Sequence, residues 1–171
     1  AAKRIDPRRL CHLLQSIFVS HFYSYESLLD NLPHNVLWSD CTQQYIPYIT
    51  YKKNWTDAIE HCKCYGMRLA VVDTAAKQRL LEQALIGSAI FNDSWTSVWI
   101  AANDRAVEGQ FVWQPTGKKV QYTNWRSLMP DNYQGYEDCV HVFRGIGFNF
   151  KWNDWPCTWL TQVACEEVKK C

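Results

Sequence analysis

Met129-Pro130-Asp131-Asn132, Glu137-Asp138-Cys139 and Trp152-Asn153-Asp154-Trp155-Pro156-Cys157 are the most informative segments of this 171-residue chain. They carry Asp131, Asn132, Glu137, Asp138, Asn153 and Asp154 beside two cysteines able to clamp the loop that holds them. Carboxylate and carboxamide oxygens of this kind suit a hard cation, since calcium takes roughly 6–8 oxygen ligands and accepts both. The competing reading is that Asn153 and Asp154 only make the hydrogen bonds of a turn.

Toward the N-terminus, Val98 to Ala101 and Gln110 to Trp113 read as strands, separated by the polar segment Asn103 to Gly109. A helix is predicted from Thr74, as N-cap, to about Leu85, with Gly87 as its stop signal. An earlier helix runs from Asn54 or Trp55 to about Tyr65, because Trp55, Ala58, Ile59 and Cys62 share one face and Gly66 follows. Leu69 to Val72 reads as a short buried strand between the two helices. Tyr45 to Tyr51 alternates as a strand does, and Pro47 places it at a sheet edge. Toward the C-terminus, strands are expected near Cys139 to Phe143, Phe148 to Trp152 and Gln162 to Val168, with a hairpin around Arg144 to Phe150. Strands and helices segregate along the chain, which predicts an α+β domain over 41–171.

Residues 1–40 form a distinct, partly helical extension. Basic Lys3, Arg4, Arg8 and Arg9 precede Leu10, Leu13, Leu14, Ile17 and Phe18 at helical spacing, and the pattern ends near Pro33. Its apolar face either packs on the following domain or meets a partner.

The formal net charge is +1, from 18 basic and 17 acidic residues, so no global field favours nucleic acid or an anionic membrane. No apolar run approaches the roughly 18 residues of a membrane span, and no signal-type hydrophobic centre opens the chain, as a cleaved leader would leave it. Eight cysteines without repeated Cys-x-x-Cys pairs point to disulfides and an oxidising, secretory compartment. Sequons at Asn54 and Asn92 fit that compartment as glycosylation sites. His12, His21, His34, His61 and His141 form no metal-spaced pair, and no Ser or Cys lies in a nucleophile motif, which argues against an enzyme.

Trp55-x-x-Ala58-x-x-x-Cys62 with Gly66, Trp99-Ile100-Ala101-Ala102-Asn103-Asp104, Glu108-Gly109-Gln110-Phe111, Glu137-Asp138-Cys139 and Trp152-Asn153-Asp154-x-x-Cys157, in that order, resemble the C-type lectin domain. The resemblance covers about Cys41 to Cys171. It implies the C-type lectin fold: two helices flanking small antiparallel sheets, a long calcium-binding loop, and bridges Cys62–Cys165 and Cys139–Cys157. For the other cysteines, a Cys41–Cys171 bridge is expected if the first and last strands pair antiparallel. Cys11 or Cys64 is then left free or intermolecular, as the link of a disulfide-bonded homodimer or of a heterodimer with a related lectin.

In such lectins a Glu-Pro-Asn or Gln-Pro-Asp triplet, a downstream Glu and an Asn-Asp pair hold one calcium ion and bind two neighbouring sugar hydroxyls. The resemblance therefore implies Asp131, Glu137, Asn153 and Asp154 as both metal and carbohydrate ligands, with Pro130 in the cis form. Met129 departs from the pattern, because a thioether is a poor ligand for a hard ion. At roughly 1.5–3 kcal/mol for a hydrogen bond to a charged group, its presence lowers sugar affinity by about ten- to a hundredfold. Asp131, which offers only acceptors, resembles the galactose-type version of the triplet, with a mixed or extended-glycan preference as the alternative. A second calcium position would use Asp104, Glu108, Asn132, Glu137 and Asp138.

Trp99, Trp113, Trp125 and Trp152 are expected in the core, and Trp155 and Trp159 either border the site or pack against the Cys157 bridge. The single domain, the lack of a span and the N-terminal cysteine are similar to secreted immune C-type lectins of insects. That likeness implies glycan recognition in innate immunity, with agglutination or control of melanisation as outcomes. The rival is a calcium-independent protein-binding module on the same fold, distinguished by whether a chelator abolishes ligand binding.

Overall fold

The computed structural model describes residues 45–88, 96–145 and 148–167. The predicted N-terminal helix, the boundary at 40/41, Cys11, Cys41, Cys171 and the sequon at Asn92 lie outside them.

Among the described residues, seven strands form one sheet. They are β1 (Tyr45–Lys53), β2 (Arg68–Leu69), β3 (Thr96–Asn103), β4 (Val112–Trp113), β5 (Cys139–Gly145), β6 (Phe148–Trp155) and β7 (Thr161–Glu166). The main path runs β1-β7-β3-β5-β6, with β2 added to β7 and β4 to β3. Among these strands β3 and β7 pair in parallel and the other pairings are antiparallel. β1 stands at one end of this path, where Pro47 is expected, since a proline has no N–H for a second neighbour.

Helix α1 (Trp55–Cys64) buries Trp55, Ala58, Ile59 and Cys62, the face predicted from their spacing. Its N-cap is Asn54, whose Oδ1 accepts from Asp57 N at 2.8 Å while Nδ2 donates to Asp57 Oδ2 at 2.8 Å. Losing such a cap costs about 1 kcal/mol, and the nitrogen that a glycan would occupy at this sequon is the one bonded to Asp57. Helix α2 (Ala75–Ile86) is capped by Thr74 and ends at Gly87 as expected.

The strand expected over Leu69 to Val72 is shorter. Pairing stops at Leu69, and Ala70 instead joins two neighbours through Ala70 N to Ala164 O at 2.9 Å and Ala101 N to Ala70 O at 2.8 Å. The burial of Ala70, Val71 and Val72 is what made the segment look like a strand.

The core gathers around tryptophans. Trp55, Trp99 and Trp152 are fully buried, and each indole N–H has an acceptor: Ile100 O, Lys53 O and Gln78 Oε1 respectively. Trp152 meets the rings of Trp113, Tyr122 and Trp125 edge-on at 5.9, 5.8 and 5.6 Å. Edge-to-face pairs at such spacings add about 0.5–1.5 kcal/mol each beyond burial. Gln78 turns its amide to Phe150 O and Glu82, so this polar side chain is satisfied inside the core.

Both bridges implied by the resemblance are present. Cys62–Cys165 spans 103 residues and Cys139–Cys157 spans 18. In the chain-entropy account, loops of these lengths correspond to about 4.7 and about 3 kcal/mol of stabilisation. Cys64 is itself disulfide-bonded, which corrects the expectation that it could supply a free or intermolecular thiol. No described cysteine is free.

Candidate functional site

Strand β6 delivers Trp152 to the core and, two residues on, Asp154 to the long loop. The loop closes on that carboxylate: Asp154 Oδ1 accepts from Asp131 N at 3.2 Å and Oδ2 from Asn132 N at 2.7 Å. Glu137 repeats the device, its Oε2 accepting from Tyr133 N at 3.1 Å. Asn132 folds back so that its Oδ1 takes the Glu137 amide at 3.1 Å. The turn needs left-handed backbone at Asn132, Gln134 and Gly135 (φ 42°, 59° and 83°), and asparagine and glycine tolerate it best. The Met129-Pro130 peptide is cis, as the resemblance implies.

The result is a group of carboxylates. One oxygen each from Asp131, Glu137 and Asp154 lies within 4.8 Å of the others. Like charges so placed oppose one another, and two of the three carboxylates are buried. Burial is the largest influence pushing the Glu137 carboxyl up to about 7; the Tyr133 amide opposes it, while the Asp154 and Asp131 charges add to the rise. Burial also raises Asp154, against the pull of the two amides it accepts. Asn153 is buried beside it. Its Nδ2 donates to Asp154 O at 2.7 Å, and its Oδ1 has no hydrogen-bond partner.

A second group comprises Asp104, Glu108 and Asp138, again with one oxygen each within 4.8 Å. Asp104 follows β3 and is tied to Asp138 by Asp104 N to Asp138 O at 3.1 Å. Its Oδ2 accepts from Gly109 N at 2.8 Å, and its buried Oδ1 has no partner. Burial pushes its carboxyl up to about 6, opposed by the Gly109 amide and reinforced by Glu108 and Asp138. Of the five residues expected at the second calcium position, Glu137 groups with the first set and Asn132 directs its Oδ1 to the Glu137 amide.

The chemistry of both sets fits a hard cation. All donors are oxygens, like charges crowd together, and each neighbourhood contains a buried oxygen left without a partner. Asp131, Glu137, Asp154 and Asn153 could hold one calcium ion, and Asp104, Glu108 and Asp138 another.

Beside the first group lies a recess of about 690 Å³ whose walls include Glu137, Asp138, Tyr133, Tyr136, Trp155 and Trp159. Tyr133, Tyr136 and Trp159 are exposed at 62%, 59% and 57%, which makes them available to a ligand. Trp155 and Trp159 meet edge-on at 5.4 Å, so these two tryptophans border the recess while packing on each other. The tyrosines were not singled out from sequence. Their signal is Tyr133-Gln134-Gly135-Tyr136, two aromatic rings flanking a glycine in a polar loop with no periodicity that would bury them.

Residues 51–167 match the model of the family described as "Lectin C-type domain". "C-type lectin 16" of Aedes aegypti is 40% identical over 117 residues, covering 67% of this chain and 76% of that protein. The "Alpha-N-acetylgalactosamine-specific lectin" of Patiria pectinifera is 31% identical over 123 residues, covering 70% and 71%. Among solved structures, the mouse scavenger receptor C-type lectin carbohydrate-recognition domain superposes with a TM-score of 0.63 at 25% identity, covering 78% of this chain and 95% of that one. The fold, the two bridges and these matches place the chain in the C-type lectin domain family.

Proposed function

We propose that this protein is a secreted, calcium-dependent carbohydrate-binding lectin acting in glycan recognition in innate immunity, with a galactose-type preference. The observation that carries the reading is the convergence of Asp131, Glu137 and Asp154, drawn from three separate stretches of sequence. Asn153 Oδ1 adds a fourth oxygen in this assignment. When bound, calcium supplies two coordination positions for neighbouring sugar hydroxyls. The carboxylates of Asp131 and Glu137 would accept hydrogen bonds from those hydroxyls, and Tyr133, Tyr136 and Trp159 would offer ring faces to the sugar's apolar side.

Asp131 accepts where an asparagine would both donate and accept, which favours the galactose arrangement of hydroxyls. The name of the Patiria pectinifera relative leans the same way. Met129 contributes no oxygen, so affinity for a single sugar is low and multivalent or extended glycans are the better ligands. The paired cysteines support secretion. Among the described residues no helix is long and apolar enough to cross a membrane.

Calcium titration by calorimetry on the wild type and on Asp154→Ala tests the metal. No heat in the wild type sinks the mechanism. Galactose competition and bacterial agglutination, each with and without chelator, test the ligand class and the immune role. Ligand binding that survives chelation would favour the protein-binding module, the reading that Met129 supports.

A further inference from the structure

Arg105 stands in the wall of the recess of about 690 Å³, together with Tyr133, Trp159, Glu137 and Asp138. A volume of this order is more than one sugar ring requires, and it lies within the range of about 300–1,000 Å³ typical of ligand sites. The arginine is exposed. Although two carboxylates share its recess, Arg105 forms no ion pair with either, nor with any other described residue. Its guanidinium carbon lies instead over the Trp55 ring, 6.0 Å from the centroid.

Trp55 is a fixed platform for that cation. It is 2% exposed, and its Nε1 donates to Ile100 O at 2.9 Å. Its backbone N–H donates at 3.0 Å to the carbonyl of Cys157, another residue of the recess wall. A guanidinium resting over an indole loses less freedom when it meets a ligand. Its donors, set in a planar fork, match a carboxylate or a sulfate better than they match a sugar hydroxyl.

We infer that the glycan recognised at the calcium site carries an anionic group, a carboxylate or a sulfate ester, which Arg105 binds while a neutral sugar meets the ion. The inference rests on the calcium-dependent, galactose-type reading above and names the class of glycan that such a site selects. Glu137 and Asp138 repel an anion in the metal-free recess, and calcium offsets their charge, so recognition of the acid needs the ion.

Calorimetry on the full chain in saturating calcium, with lactose, 3′-sulfolactose and 3′-sialyllactose as probes, tests this. At least one acid binds about tenfold tighter than lactose, the gain of one charge-assisted contact, and which one does so tells sulfate from carboxylate. The gap narrows as salt rises from about 0.05 to about 0.5 M, since screening weakens an exposed contact between charges. In Arg105→Gln the preferred acid falls to within about twofold of lactose, while the calcium heats stay as in the wild type. Lactose binding with neither acid tighter overturns the inference and leaves the galactose reading standing. A preference that persists in Arg105→Gln, or in chelator, also overturns it. Failure of every probe in calcium removes the galactose reading itself, and the inference falls with it.

Discussion

The two carboxylate groups use the same residue types and are prepared to different degrees. Around Asp131, Glu137 and Asp154, three loop amides donate to carboxylate oxygens, and the loop is wrapped on a strand of the sheet. Around Asp104, Glu108 and Asp138, one amide donates to one carboxylate and Glu108 is exposed. Backbone donors draw acidic groups together against their repulsion before any ion arrives, and a ligand set held in place loses less freedom on binding. The first group should therefore be the tighter and more sensitive site, and the second the more forgiving.

The largest expected effect comes from Asp154→Ala. It removes a carboxylate proposed to ligate the first calcium ion and the acceptor of two loop amides together. First-site calcium affinity and calcium-dependent sugar binding should fall by at least about a hundredfold, while the second binding event in the calorimeter persists. Loss of both events in parallel would show that the groups are one coupled site.

Next comes Met129→Gln, which restores an oxygen where the thioether stands. Affinity for galactose should rise by about ten- to a hundredfold, with no change at the second group. An unchanged affinity would mean that the recess rings, and not the missing oxygen, limit binding.

These tests bear on what sequence could reveal. The two helices were legible because Trp55, Ala58, Ile59 and Cys62 obey helical spacing and capping residues flank both helices. Asp131, Glu137 and Asp154 stood out as oxygen donors by residue type, but their assignment to one site came through family resemblance, since no local rule says that residues so far apart meet. The resemblance implied two groups with Glu137 shared between them, whereas Glu137 lies with Asp131 and Asp154, and its sequence neighbour Asp138 with Asp104 and Glu108. Tyr133 and Tyr136 escaped notice because exposed rings in a turn carry no periodic signal. Cys64 was misread because spacing cannot say which thiols meet in space.

A smaller effect is expected from pH on the metal-free protein. Folded carboxyls at about 7 for Glu137 and about 6 for Asp104 lie above their unfolded values of roughly 4.3 and 3.9. Between those limits the folded chain binds more protons than the unfolded one, so the contribution of these groups is most favourable below about pH 4 and declines as pH rises toward 7. In chelator, the thermal midpoint should fall over this window, and saturating calcium should flatten the profile. Glu137→Gln should remove the upper part of the slope and leave the part due to Asp104. A slope untouched by that substitution would mean that the first group is not under electrostatic tension.

The smallest effect belongs to Glu108→Ala. Glu108 is exposed, and no described hydrogen bond fixes its side chain. Its attraction for an ion therefore acts partly through water, where a pair of unit charges about 4 Å apart is worth only about 1 kcal/mol. Second-site calcium affinity should weaken by less than about tenfold, and the first event should stay as it is. Asp104→Asn in the same group should cost more, because it removes charge at a buried position whose Oδ1 has no other partner. Should Glu108→Ala prove as damaging as Asp154→Ala, charge count and not backbone preparation would set affinity, and the two groups would be equivalent.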